Sequence, residues 1–180
     1  MYLDKLSYAL QQYSTKTNFS MKKHQSTVGK SDEWFTPPEI LSKLCQFDLD
    51  PADSISSPFK TAHKSFTPKE DGLMQKWAGR VWLNPPFNRY QRGLWMEKMA
   101  EHNNGIMLIP AALETENAYK YVWGKCAGIL FLEARPHFYY IDGTRAKANS
   151  GCTICLVAYG PENLNILMLS DLGKTVIECN

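Results

Sequence analysis

Three short apolar runs in this chain stop abruptly at proline, or at a polar residue backed by proline. Val81-Trp82-Leu83 runs into Asn84-Pro85-Pro86, Gly105-Ile106-Met107-Leu108-Ile109 into Pro110, and Phe47-Asp48-Leu49-Asp50 into Pro51. Proline carries no N–H and has a fixed φ, so it cannot extend the interior of a sheet. Each run therefore reads as a buried strand with a forced end. A weaker strand is expected around Lys64-Ser65-Phe66, and further strands at 129–133 and 153–159, separated by an irregular polar connection at 142–150. Helical patterns fall after Thr36, at 93–102 and at 116–123, with a turn or two of helix at 72–77. Strands alternating with helices predict an α/β fold with a mainly parallel sheet covered on both faces. Open sheets of that kind bind ligands outside the carboxyl ends of their strands. Asp50, Asn84 and Pro110 all fall on that rim.

A chain of 180 residues with 44% hydrophobic content supports one sizeable core. The reading is a polar arm at 1–30, in which Leu3, Leu6, Tyr8 and Leu10 form at most a short amphipathic helix, followed by a single domain at 31–180. A net charge of +2 excludes a strongly basic polyanion binder, yet permits nucleic-acid contact by clustered charges. No stretch reaches the roughly 18 to 20 apolar residues of a membrane span, and no secretory signal is expected. The five cysteines are an odd, dispersed set that reads as free thiols. Cys152 and Cys155 form a C-x-x-C inside an apolar run with no second pair of ligands, which favours a packed strand over zinc. No metal is expected.

Two further motifs bear on chemistry. Thr36-Pro37-Pro38-Glu39 has the pattern of a helix start, with Thr36 as N-cap, proline in the first turn and Glu39 as capping-box partner. Asn84-Pro85-Pro86-Phe87 offers a side-chain carbonyl and a proline carbonyl as two rigidly spaced acceptors, then a flat ring. An exocyclic aromatic amine is a poor nucleophile because its lone pair is delocalised into the ring. Two acceptors that hold its N–H bonds favour a pyramidal, reactive nitrogen. The ring of Phe87 suits stacking against an extruded base.

Asn84-Pro85-Pro86-Phe87 matches the (Asp/Asn/Ser)-Pro-Pro-(Tyr/Phe/Trp) motif of DNA amino-methyltransferases, and residues 32–160 resemble the phage-type DNA N6-adenine methyltransferase family, a small Dam-like group. Asp32-Glu33-Trp34-Phe35-Thr36-Pro37 is similar to that family's opening segment, Phe47-Asp48-Leu49-Asp50-Pro51-Ala52 to its first-strand cofactor motif, and Glu70-Asp71-Gly72-Leu73 to the segment whose acid meets the cofactor's adenine. The resemblance implies a shortened Rossmann-like methyltransferase fold that uses S-adenosylmethionine and acts on double-stranded DNA in the cytoplasm of a bacterial host. Asn84 and the Pro85 carbonyl would hold the target amine, with Pro86 stiffening the turn and Phe87 stacking on the flipped adenine. Trp34, Thr36 and Pro37 would line the methionine pocket, with Thr36 and the helix N-terminus favouring the donor's carboxylate. Asp50, next to Pro51, would sit near the methionine amino group or the ribose, and Asp71 would accept from the cofactor's adenine.

The family's usual glycine-rich turn is replaced here by Ala52-Asp53-Ser54-Ile55-Ser56, which leaves Asp50 and Asp53 both open as the cofactor acid. Arg89, Arg92, Arg145 and Lys147 are the candidates for DNA contact, and the arm at 1–30 reads as either a disordered tail or a DNA-contacting arm. The same acceptor pair also suits the N4 amine of cytosine. A chain that keeps the fold but not the catalysis would be a DNA-binding or host-interaction module.

Overall fold

The structure is a computed structural model that describes residues 34–86 and 89–177; the arm expected at 1–30 lies outside them. The elements in order are α1 (Pro38–Leu41), β1 (Leu49–Asp50), β2 (Lys64–Ser65), β3 (Val81–Leu83), α2 (Arg89–His102), β4 (Gly105–Pro110), α3 (Glu116–Tyr121), β5 (Gly128–Leu132), β6 (Ile154–Tyr159), α4 (Pro161–Leu169) and β7 (Gly173–Val176). The prolines act largely as the sequence predicts. Pro51 follows β1 directly, Asn84-Pro85-Pro86 follows β3, and Pro110 is the last residue of β4. Residues 72–77, expected to be helical, form turns instead.

Seven strands make one sheet in the order β2-β1-β3-β4-β6-β5-β7. Strands β2, β1, β3 and β4 pair parallel, whereas the β4–β6, β6–β5 and β5–β7 pairs are antiparallel. The expected mainly parallel sheet is therefore a mixed one. The physical reason lies in the connection between β5 and β6. A parallel neighbour needs a crossover, usually helical, and residues 133–153 contain no helix. The chain doubles back instead and inserts β6 between β4 and β5 in the reverse direction. The step from β1 to β3 is also reduced, since residues 51–80 hold the short β2 and no helix.

Alternation along the strands sorts the core into two layers. Val81 and Leu83 of β3, Met107 and Ile109 of β4, and Cys155, Val157 and Tyr159 of β6 face α2 and α3 through Trp95, Met96, Met99 and Ala118. Trp82, Ile106, Leu108, Ile154, Leu156 and Ala158 face α1 and α4 through Ile40 and Leu167. Side chains two apart share a face of a strand, so these runs, buried on both sides, are continuous in hydrophobicity. Among the described residues no helix is long and apolar enough to cross a membrane. No group of three or more His, Cys, Asp or Glu side chains among them is arranged to hold a metal ion. Cys155 sits buried in β6, where burial pushes its thiol up to about 12, and Cys152 is exposed.

Candidate active site

At the carboxyl ends of β1 and β3 a cavity of about 550 Å³ opens between the strand ends and the segment that leads into α1. It is lined by Trp34, Thr36, Asp50, Asn84, Pro85 and Pro86 from the set expected in the sequence. Its size lies in the range that accommodates a cofactor.

Thr36 does not play its expected part. The residue at the cap position of α1 is Pro37, with φ −54° and ψ 128° and no side-chain capping bond. Two consecutive prolines hold the entry to the helix by their own fixed φ, so a hydroxyl cap is not needed. Thr36 is instead 4% exposed, and its Oγ1 has no hydrogen-bond partner among the described residues. A buried hydroxyl without a partner costs free energy, and here it belongs to the cavity wall.

Asp50 is the last residue of β1 and is 3% exposed. Its Oδ2 accepts from the Thr61 hydroxyl, and its Oδ1 accepts from the Ala52 N–H at 3.1 Å. Burial pushes the carboxyl up to about 7; the Thr61 bond opposes this, the nearby Asp53 adds to it, and the Ala52 bond opposes it. A carboxyl poised in this way is cheap to ionise once a cation enters beside it. Asp53 lines the same cavity and accepts from the Ser54 N–H at 2.9 Å.

Asn84 stands one residue beyond β3, where Pro85 and Pro86 deny the backbone any further pairing. Its Nδ2 donates to the Trp34 carbonyl at 3.2 Å. That bond fixes which way the amide faces and leaves Oδ1 as the free end. Asn84 Oδ1 is buried with no partner among the described residues. Trp82 Nε1, two residues earlier on the same face of β3, is likewise buried and unpartnered, and Trp82 also lines the cavity. Three of the four unpartnered buried polar side-chain atoms among the described residues thus belong to this one cavity wall; the fourth is Arg80 Nη2.

Other expected site residues lie elsewhere. Pro37 and Pro51 are buried beside the cavity but do not line it. Asp71 is exposed on a turn at φ +51° and accepts from the Leu73 N–H at 3.2 Å. Its neighbour Gly72 packs so closely on the Pro51 carbonyl that a Cβ there would come within 1.9 Å of the oxygen, which ties the Asp71 turn to the end of β1. Arg92 is half-buried and lines a separate cavity of about 110 Å³ with Pro110 and Asn117, beyond the end of β4. Arg145 and Lys147 are exposed on the connection between β5 and β6. That connection is anchored at the site, because Tyr139 bridges both Phe35 and Arg145. Its rings meet cavity-lining ones as well, Tyr140 at 5.4 Å from Trp34 and Tyr139 at 5.2 Å from Phe59. Phe87 lies outside the described residues, and Arg89 is described only as the first residue of α2.

Phe59, Thr61 and Trp82 were not singled out in the sequence. Thr61 meets Asp50 across eleven residues of irregular chain, a pairing with no periodic signal. Trp82 reads as a core residue and is one, packed 5.4 Å from the Phe47 ring; only its indole N–H distinguishes it.

The sheet and cavity define an α/β protein whose strand-end cavity joins a buried acid at one parallel strand end to a proline-locked amide acceptor at the next. The chain belongs to the DNA N-6-adenine-methyltransferase (Dam) family, whose profile matches residues 23–167. It is similar to a DNA N-6-adenine-methyltransferase of Escherichia phage T1, 34% identical over 110 residues, an alignment covering 51% of this chain and 44% of that protein. The match thus spans less than half the length of that relative. No solved structure matches the chain.

Proposed function

We propose that this chain transfers a methyl group from S-adenosylmethionine to the N6 amino group of adenine in double-stranded DNA, using a shortened Rossmann-like methyltransferase domain at 31–180. The observation that carries the reading is Asn84: a half-buried amide whose Nδ2 is committed to the Trp34 carbonyl and whose buried Oδ1 is left to accept. An acceptor held in place before the substrate arrives need not reorganise during the reaction, which is how such groups stabilise developing charge. Asn84 Oδ1 and the Pro85 carbonyl take the two N–H bonds of the target amine, and the nitrogen lone pair is drawn out of conjugation. Phe87 stacks on the extruded base. Once transfer has left the donor sulfur as a neutral thioether, the methylated nitrogen gives one proton to solvent while Asn84 or the Pro85 carbonyl keeps the one N–H that remains.

When bound, S-adenosylmethionine supplies an electrophilic methyl group on a sulfonium centre. The residues present suit it: the cavity is large enough, Asp50 is a buried acid, and Thr36 Oγ1 is an unpartnered hydroxyl on the wall. Trp34 and Thr36 surround the methionine end with Pro37 buried behind them, Asp50 or Asp53 meets its ammonium or the ribose, and Asp71, on its exposed turn outside the cavity lining, serves the adenine end where it reaches the rim. Arg89, Arg92, Arg145 and Lys147 contact the DNA, whose methylation takes place in the cytoplasm of a bacterial host.

The test is methyl transfer from labelled S-adenosylmethionine to double-stranded DNA by the full chain, followed by digestion and separation of the nucleosides. N6-methyladenine is the expected product. N4-methylcytosine as sole product would overturn the choice of base, and DNA binding without any transfer would leave a non-catalytic module.

A further inference from the structure

The cavity has an uneven chemistry. Among the described residues that line it there is no lysine or arginine, while two carboxylates, Asp50 and Asp53, do line it. A ligand that carries a carboxylate finds no cation among these described residues, which offer it neutral donors. Two hydroxyls of the wall are already committed: Thr61 donates to Asp50, and Ser57 donates to the Phe59 carbonyl at 2.8 Å. Among the buried side-chain donors of the wall, Thr36 Oγ1 and Trp82 Nε1 have no partner among the described residues. They come from opposite origins, one from the segment entering α1 and one from β3, and both residues line the same cavity.

The contrast with other tryptophans makes Trp82 informative. Trp77 Nε1 donates to the Gly72 carbonyl at 2.8 Å and Trp123 Nε1 to the Leu113 carbonyl at 2.9 Å. Buried indole N–H groups normally find such a partner. Trp82 is fully buried and has none, although a phenylalanine would fill much of the same apolar space beside Phe47 without the penalty. An indole donor at that point is costly unless something arrives to accept from it.

We propose that Trp82 Nε1 and Thr36 Oγ1 together form a neutral two-donor seat for the carboxylate of the amino-acid end of the bound cofactor. The seat rests on the methyltransferase reading above and extends it to a residue that otherwise belongs to the core. It also separates the charges of a zwitterionic ligand. The carboxylate goes to the donors on the Trp82 face, and the ammonium goes to the acids at the end of β1.

The test uses the full chain labelled with ¹⁵N at tryptophan, with S-adenosylhomocysteine as probe and 5′-methylthioadenosine, which lacks the amino-acid end, as comparison. Trp82→Phe identifies the Trp82 indole N–H signal by its disappearance. S-adenosylhomocysteine should shift that signal downfield, 5′-methylthioadenosine should leave it in place, and the Trp77 and Trp123 signals should stay still with both. Trp82→Phe and Thr36→Val should each weaken S-adenosylhomocysteine about tenfold, as loss of a hydrogen bond to a charged group does, with 5′-methylthioadenosine unchanged. Binding of S-adenosylhomocysteine with a stationary Trp82 signal would overturn the seat and leave the methyltransferase reading intact. So would an equal loss of both ligands in Trp82→Phe, which is the mark of a purely structural role. Failure of S-adenosylhomocysteine to bind the unaltered chain would overturn both.

Discussion

Replacing Asp50 with asparagine tests the site through stability and binding at once, because the two should move in opposite directions. Asp50 is 3% exposed, and its carboxyl titrates at about 7 in the fold against 3.8 as its ordinary value, chiefly because of burial. The folded value lies above the unfolded one, so folding favours the neutral acid. At pH values below about 3.8 the group is neutral in both states and its burial carries no charge penalty. As pH rises from there the unfolded chain gives up its proton first and stability falls, until the loss is complete above about 7. At about 1.4 kcal/mol per pKa unit the full penalty is at most about 4 kcal/mol. Asparagine keeps the shape and an acceptor for the Ala52 N–H but cannot ionise. In urea denaturation Asp50→Asn should match the parent near pH 4 and exceed it by about 2 to 4 kcal/mol at pH 8.

Binding should run the other way. If the ionised acid meets the cofactor's ammonium, binding to the parent needs a proton to leave. Calorimetric affinity for S-adenosylhomocysteine should then rise toward tenfold per pH unit between pH 5 and 7 and flatten above. The asparagine variant should bind at least about tenfold more weakly at pH 8 and show no such rise. A stability gap that stays constant from pH 4 to pH 8 would refute the buried-acid argument. A pH rise in affinity that persists in Asp50→Asn would assign the proton to another group, with Asp53 the first to examine.

Three further outcomes follow from the geometry. Asn84→Ala removes the acceptor at the end of β3 but no proposed cofactor contact, so methyl transfer should fall by a factor of about 100 or more with S-adenosylhomocysteine affinity nearly unchanged; near-normal turnover would exclude the assigned role. Gly72→Ala would place a Cβ 1.9 Å from the Pro51 carbonyl oxygen, and backbone is the part least able to give way, so a loss of about 3 kcal/mol is expected in chemical denaturation, with weaker cofactor binding as the end of β1 shifts. Arg145→Ala and Lys147→Ala should each lower DNA affinity and reduce the slope of log affinity against log salt by about 0.9 if each side chain meets one phosphate; an unchanged slope would remove that residue from the interface.

Proline made the parallel half of the sheet readable, because it stops a strand wherever it falls and so marks the rim on which Asp50, Asn84 and Pro110 lie. The antiparallel half was not readable in the same way. Strand direction depends on the connection, and residues 133–153 are irregular whether the chain crosses over or doubles back. Helix α4 was obscured by Asn163, which is fully buried at a core position yet polar. It accepts from Arg80 Nε at 2.6 Å and donates to the Tyr159 carbonyl at 2.8 Å, and an asparagine there breaks the apolar stripe by which a helix is recognised. The start of α4 does carry a signal, Gly160 at φ +85° followed by Pro161. Strand β7 is a four-residue edge strand, half-exposed and containing a lysine, the composition edges favour and cores do not. At the site, the cap expected of Thr36 from its position beside proline is absent, because the two prolines made it unnecessary, and the hydroxyl lies on the cavity wall instead.

The register of β3 decides whether the Asn-Pro-Pro turn can work at all. Residues alternate across a strand, so Val81 and Leu83 point to the α2 and α3 layer while Trp82 points to the α1 layer and the cavity. Asn84, two residues past Trp82, falls on the cavity side with it. A slip of one residue would turn every side chain over, presenting Leu83 to the cavity and the amide to the layer beneath α2. What forbids the slip is not the turn but the strand: Val81, Trp82 and Leu83 are each fully buried, and β3 is paired on both edges, with Leu49 opposite Val81 on one side and Gly105, Ile106 and Met107 opposite its three residues on the other. The large ring of Trp82 packs in the layer that holds Phe47 and Ile106. The core position of the indole and the placement of the amide acceptor are therefore one constraint. The turn supplies the chemical groups, and the apolar tripeptide before it determines which way they face.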